Sequence, residues 1–271
     1  MKGHYLYPQK RSSSFNLIVG THKTTIPKLA GVKCYKQRVY PLGDITYIYN
    51  YEEPVWAGYN KFKTGNRKPT DEETKKENRK KVIIRIRNNV IMLALLNFDE
   101  HSRFLTLTFK DNITDIFYAN REFKKFIQRV KHKYGDFRYL VVIQFQKRGA
   151  IHYHMLADFV FIEQAEIEKI WGNGFVWIND LLHANNGKPV DDVGRYICGY
   201  MNKKLDDLRL RGKKAYFTSK NIIRPKAIYE NLSIEECKEK YSCDDKNLEF
   251  ANSYMSEKNG RVDFYEFNKK Y

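Results

Sequence analysis

Residues 138–146 and 150–157 are two mostly apolar runs held apart by Lys147-Arg148-Gly149. That spacing suits a three-residue hairpin turn and commits the middle of the chain to an antiparallel strand pair. Upstream, Phe104-Leu-Thr-Leu-Thr-Phe109 alternates like a half-buried strand and carries no titratable group. Between these segments, residues 115–134 place Phe123, Phe126, Ile127 and Val130 on one helical face, and Gly135 supplies the stop. Downstream come a short helix (163–171), a strand (175–178) and a helix from about 191 to 204. The order β-α-β-β-α-β predicts an α+β fold. It is the ferredoxin-like, split βαβ arrangement, an antiparallel sheet with helices on one face.

This core is flanked on both sides. Residues 1–50 carry eight Lys or Arg against Asp44 alone, and Pro8, Pro27 and Pro41 break them into short strands and loops. Thr70 with Glu73 reads as a capping box that opens a helix striped by Ile83, Ile86, Val90 and Leu93 and ends near Asn97. After the core, residues 203–224 hold eight Lys or Arg against Asp206 and Asp207. Ser233 and Glu236 cap a further helix, and Asn259-Gly260 suits a hairpin turn. The expected division is a basic N-terminal extension with one long helix (1–95), a core domain (96–226) and a C-terminal extension (227–271).

Charge narrows the partner. The 271 residues carry 49 Lys and Arg against 32 Asp and Glu, a net charge of +17, which suits a polyanion such as nucleic acid. The 20 Tyr and 17 Phe could stack on unpaired bases, or could equally serve an ordinary aromatic core. The longest apolar run, Val90 to Leu96, is too short to span a membrane. No leader with a basic start and a cleavage site is visible, so secretion is not expected. Cys34, Cys198, Cys237 and Cys243 lack metal-type spacing and read as reduced thiols.

Two segments could carry chemistry. Strand alternation projects both imidazoles of His152-Tyr153-His154 from one face, where they could ligate one divalent metal. The plain alternative is two solvent-facing histidines. In Tyr196-Ile-Cys-Gly-Tyr200-Met-Asn-Lys203-Lys204, helical spacing puts Tyr196, Tyr200 and Lys203 on one stripe. A phenol with a pKa of about 10 is a poor nucleophile at neutral pH, so a neighbouring Lys and a metal would assist it. Packing of the two rings on the sheet is the plain alternative.

Taken in order, these segments resemble the rolling-circle replication initiators (Rep proteins) of small phages and plasmids, in the HUH endonuclease superfamily. The resemblance covers about residues 95–226. Phe104 to Phe109 resembles the first family motif. Arg148-Gly-Ala-Ile-His-Tyr-His154 resembles the second, and Tyr196-x-x-x-Tyr200-x-x-Lys203 the third. Ser219-Lys-Asn-Ile-Ile-Arg-Pro225 is similar to a segment that follows the catalytic helix in phage-type members. The resemblance implies a metal-dependent DNA endonuclease that nicks and rejoins single-stranded or hairpin origin DNA through a 5′-phosphotyrosine bond. Tyr196 and Tyr200 would be the nucleophiles, with Lys203 beside them. His152 and His154 would hold Mg2+ or Mn2+, with Gln144 as third ligand. Arg148, Lys204, Lys213 and Lys214 are the candidate DNA contacts. The family commonly has an acid where this chain has Gln144, a weaker ligand, and Asp158 is an alternative acid. No G-x-x-x-x-G-K-[ST] loop is present, so a host helicase would unwind the duplex and a host DNA polymerase would extend the 3′ end, in the bacterial cytoplasm. A relaxase or transposase of the same fold, and a non-catalytic nucleic-acid-binding protein, are the competing expectations.

Overall fold

The structure is a computed structural model that describes residues 14–19, 22–27, 33–57, 71–181, 192–201, 212–256 and 259–270. The fold is α+β, and the chain divides into two compact units. One comprises residues 41–45 and Arg67–Lys226; the other takes Met1–Tyr40, Thr46–Asn66 and Ala227–Tyr271.

The first of these units contains the split βαβ. Its strands are β5 (Arg103–Thr108), β6 (Tyr139–Phe145), β7 (Ile151–Ala157), β8 (Val176–Asp180) and β9 (Tyr216–Thr218), in the order β8-β5-β7-β6-β9. Antiparallel β7 lies between β5 and β6, so those two run parallel, joined over one face by α2 (Ile116–Tyr134). The β6–β7 hairpin closes through Gly149, whose φ of 95° lies in the left-handed region that a side chain resists. Asp115 caps α2 by accepting from the Phe117 N–H, and Gly135 ends it.

Alternation divides the sheet between two cores. Leu105, Leu107, Val141, Ile143, Tyr153 and Met155 pack with Phe123 and Phe126 of α2 and Trp171 of α3 (Gln164–Trp171). Phe104, Leu140, Val142 and Leu156 face the other way. There they meet Val90, Leu93 and Ala94 of α1 (Glu72–Asn97) and Ile197 and Cys198 of α4 (Val193–Met201). The two crossover helices thus share one face as the strand order predicts, while α1 and α4 cover the second. Burial on both faces explains why every residue of β7 is buried.

Helix α1 starts one residue later than the Thr70–Glu73 pair predicts. Asp71 is the cap, its carboxylate accepting from the Thr74 N–H at 2.8 Å and the Thr74 hydroxyl at 2.7 Å. An ionised acceptor at that helix end is the stronger cap, and Thr70 lies outside the described residues. At the other end, Asn97 clamps Ile223, donating to its carbonyl at 2.7 Å and accepting its N–H at 2.8 Å.

The second unit has a five-stranded sheet, order β10-β3-β4-β12-β11, from β3 (Lys33–Leu42), β4 (Ile45–Ala57), β10 (Ile228–Glu230), β11 (Leu248–Ser256) and β12 (Gly260–Asn268). Segments from both ends of the chain therefore share one sheet. Helix α5 (Ile234–Lys240) opens on the Ser233–Glu236 capping box read from the sequence. Its Cys237 packs with Val39, Ile48, Cys243 and Phe267. A separate ladder pairs β1 (Ser14–Val19) with β2 (His22–Pro27). All four cysteines are free, and no described helix is long and apolar enough to cross a membrane.

Candidate active site

Strand β7 brings both histidines to the face covered by α1 and α4. Register places Gln144 opposite His152 and Thr106 opposite His154. Neither ring faces solvent: His152 is 8% exposed and His154 4%. Burial penalises the imidazolium and lowers the His152 pKa to about 4, with the Arg148 charge adding to the effect. Burial likewise lowers His154 to about 3, with His152 adding to it. At neutral pH both rings are therefore uncharged.

A pH dependence follows. Above pH 6.5 the rings are neutral in the folded and the unfolded chain, and their contribution to stability is complete. Below 6.5 the unfolded chain takes up protons that the folded chain refuses until about pH 4 and 3. Stability should fall across that window by up to about 1.4 kcal/mol per pH unit for each uncompensated proton. Urea unfolding at a series of pH values measures the slope, which should be shallower in His152→Gln/His154→Gln. Equal slopes in the two proteins would show that the rings protonate without unfolding.

The side chain of Gln144 joins the histidines to α4. Its amide N–H donates to the Tyr200 carbonyl at 2.9 Å, and its Oε1 lies 2.9 Å from His154 Nε2. Since the carbonyl can only accept, the amide oxygen must face the ring, and Nε2 carries the proton. His154 Nδ1 then accepts from the Thr106 hydroxyl at 3.0 Å. A carboxylate at position 144 could not donate to Tyr200, which gives the amide a structural reason at this place. His152 Nε2 is buried without a hydrogen-bond partner. Among the described residues no three His, Cys, Asp or Glu come together as a metal site. Asp158, the alternative acid, is instead engaged by Arg138, from its N–H and its Nε, each at 2.6 Å.

Helix α4 sets both tyrosines over Phe104, which is fully buried. The Tyr196 and Tyr200 ring centroids lie 5.0 and 4.7 Å from it, and Tyr200 lies 4.4 Å from the His154 ring. Tyr200 donates to the Tyr196 oxygen at 3.2 Å, and the Asn179 amide donates to the same oxygen at 2.9 Å. The two phenols are thus unequal. Burial, followed by the hydrogen bond to Tyr196, raises the pKa of Tyr200 well above the ordinary phenol value. Tyr196 instead presents an oxygen that already accepts two hydrogen bonds.

One family comparison bears on this site. Residues 102–205 match the model of the replication-associated protein ORF2 family. The matched segment runs from β5 to beyond α4, and it supports a replication-initiator role. It covers less than half of the chain. No curated protein and no solved structure matches the chain.

Of the residues singled out from sequence, the structure gathers His152, His154, Gln144, Tyr196 and Tyr200. Lys203 and Lys204 lie outside the described residues. Arg148 sits exposed on the hairpin turn, bonding Gln146 at 2.9 Å. Lys213 and Lys214 lie apart from the histidines, lining a groove beside α2. Sequence reading passed over Thr106 and Asn179. The alternating threonines of β5 signalled the first, since they fall on the face opposite Leu105 and Leu107. Asn179 gave no signal, because its place depends on the pairing of β8 with β5.

Proposed function

We propose that this protein initiates replication by nicking and rejoining single-stranded origin DNA through a tyrosine. The observation that carries the reading is one cluster of two buried neutral imidazoles, a linking amide and two tyrosines around Phe104. A phenol oxygen attacks the scissile phosphorus as the bond to the 3′ oxygen breaks. The phenolic proton passes through solvent to that oxygen, leaving a 3′-OH for a host polymerase and a 5′-phosphotyrosine. Phosphodiester energy is kept in the new bond, so rejoining needs no nucleotide. A host helicase would open the duplex.

The two tyrosines would divide the work. Tyr196 attacks first, since hydrogen bonds from Asn179 and Tyr200 hold its oxygen in place. Tyr200 stays protonated as a donor until it attacks the regenerated origin. Lys203 is assigned to the phosphate charge from its place in the sequence motif.

His152, His154 and Gln144 would hold a divalent cation, Mg2+ or Mn2+. The partnerless His152 nitrogen and the pairing of His154 Nε2 with the Gln144 oxygen support the fit. When bound, the cation supplies Lewis-acid polarisation of the scissile phosphate. To free Nε2, His154 must move its proton to Nδ1, and the Thr106 hydroxyl must turn from donor to acceptor. Replacing Thr106 by Val removes that acceptor and should weaken Mn2+ binding by about tenfold or more, read by isothermal titration. Wild-type affinity in Thr106→Val would remove Thr106 from this role.

The test of the function is incubation with labelled single-stranded DNA of the element's own origin and Mn2+, followed by a denaturing gel. A protein–DNA adduct that EDTA prevents is the expected result. Binding without an adduct on either strand would favour a nucleic-acid-binding protein without catalysis, the reading to which Gln144, in place of an acid, lends weight.

A further inference from the structure

Away from the histidines, β9 is the outermost strand of its sheet and pairs with β6 alone. Ser219 donates to the Tyr139 carbonyl and the Ala215 carbonyl accepts from Ile143, so alternation turns the main-chain groups of Tyr216 and Thr218 away from β6. A groove of about 1020 Å3 lies between this edge and α2. One wall is the α2 face bearing Asn120, Lys124, Gln128 and Lys131, spaced to project together. The other follows the chain through β9 and carries Lys213, Lys214, Lys220 and Arg224. Half-buried Tyr139, Tyr216 and Phe217 line it between these cations.

Charge in the groove is of one sign. Among the described residues six cations line it, and no Asp or Glu does. Lys131 is held by Asp136 at 2.6 Å and Lys213 lies over the Phe117 ring. Lys124, Lys214, Lys220 and Arg224 form no ion pair among the described residues. Facing cations repel one another, and these four have no ion pair among the described residues to offset that repulsion. None of His152, His154, Gln144, Tyr196 or Tyr200 lines the groove.

We infer that this groove is a second nucleic-acid site, which holds the sugar–phosphate backbone of a single DNA strand apart from the histidines and tyrosines. Cations on both walls match a polyphosphate, and the outward N–H groups of the sheet edge can donate to phosphate oxygens. The half-buried rings favour one strand, whose bases are free to stack, over a duplex, whose bases are not. The inference rests on the DNA reading above in naming the polyanion, but not on cleavage.

Fluorescence anisotropy with labelled oligothymidylate tests it in Lys124→Gln/Lys220→Gln/Arg224→Gln. At moderate salt the affinity should fall at least tenfold. The slope of log K against log salt should flatten by about 2, at roughly 0.7 for each phosphate no longer neutralised. Unchanged affinity and slope in the folded variant would overturn the inference, and a loss confined to duplex probes would overturn the single-strand assignment. If the triple variant fails to fold, Lys220→Gln alone should flatten the slope by about 0.7; no change would overturn the inference. Oligothymidylate binding is read without any cut or adduct. The groove reading can therefore stand even if wild-type protein gives no adduct, and can fail even if it does.

Discussion

Removing both phenol oxygens with Tyr196→Phe/Tyr200→Phe should abolish the covalent adduct, lowering its yield by a factor of roughly 1,000 or more. The rings pack around Phe104 and His154, and phenylalanine keeps that packing, so fold and DNA affinity should survive. The single variants should differ. Tyr196→Phe removes the oxygen that accepts from Asn179 and Tyr200, and should lose most first-cut adduct on single-stranded DNA. Tyr200→Phe removes one donor to that oxygen and should slow the first cut by about tenfold, as loss of one hydrogen bond that positions a reacting group does. Quantifying the adduct at early times separates the two. If Tyr200→Phe proves the more damaging, the assignment of the first nucleophile to Tyr196 is wrong.

Stability should respond most sharply at Gly174. A Cβ built there would lie 2.5 Å from the Thr108 carbonyl oxygen and 2.5 Å from the Lys110 nitrogen, both main-chain atoms that cannot swing aside. The same Thr108 carbonyl accepts the Trp171 indole N–H at 2.7 Å, while the Lys110 N–H donates to the Asn173 carbonyl at 2.9 Å. Gly174→Ala must therefore displace the end of β5 or break bonds that hold a fully buried tryptophan. We expect a loss of about 3 kcal/mol, which lowers Tm by roughly 10 °C in a unit of this size. Differential scanning calorimetry reads it. A shift of only about 2 °C would mean that residues 173–175 approach β5 less closely than these distances imply.

The sequence foretold the features governed by local rules. Strand alternation, the length of the 147–149 turn and the caps at Gly135 and Ser233 are short-range, and they set the order of the split βαβ. The turn also set the pairing of Gln144 with His152, because a hairpin's loop length fixes its register. What escaped was long-range. Covering of the histidine face by α1 and α4 turned two residues that could have faced solvent into buried, neutral rings. Asn179 reaches Tyr196 only because β8 joins the far side of β5. The inequality of the tyrosines depends on donors that arrive from different elements. Residues 1–95 and 227–271 read as separate flanks, since nothing local announces that β3 and β4 will pair with strands beyond residue 226.

That last arrangement bears on the order in which the chain is made. Strand β3 lies between β10 and β4, and β4 between β3 and β12. Both outer neighbours are translated only after all of Arg67–Lys226 has been translated. Until then β3 and β4 can form at most a hairpin with two open edges, marginal in stability and prone to pair with other chains. The Arg67–Lys226 stretch has no such wait, because its strands and helices emerge together and can fold as they appear. A shortened version meant to keep the tyrosine and histidine cluster is therefore better begun near Arg67 than at Met1. Beginning at Met1 and stopping at Lys226 would leave half a sheet permanently without its other half.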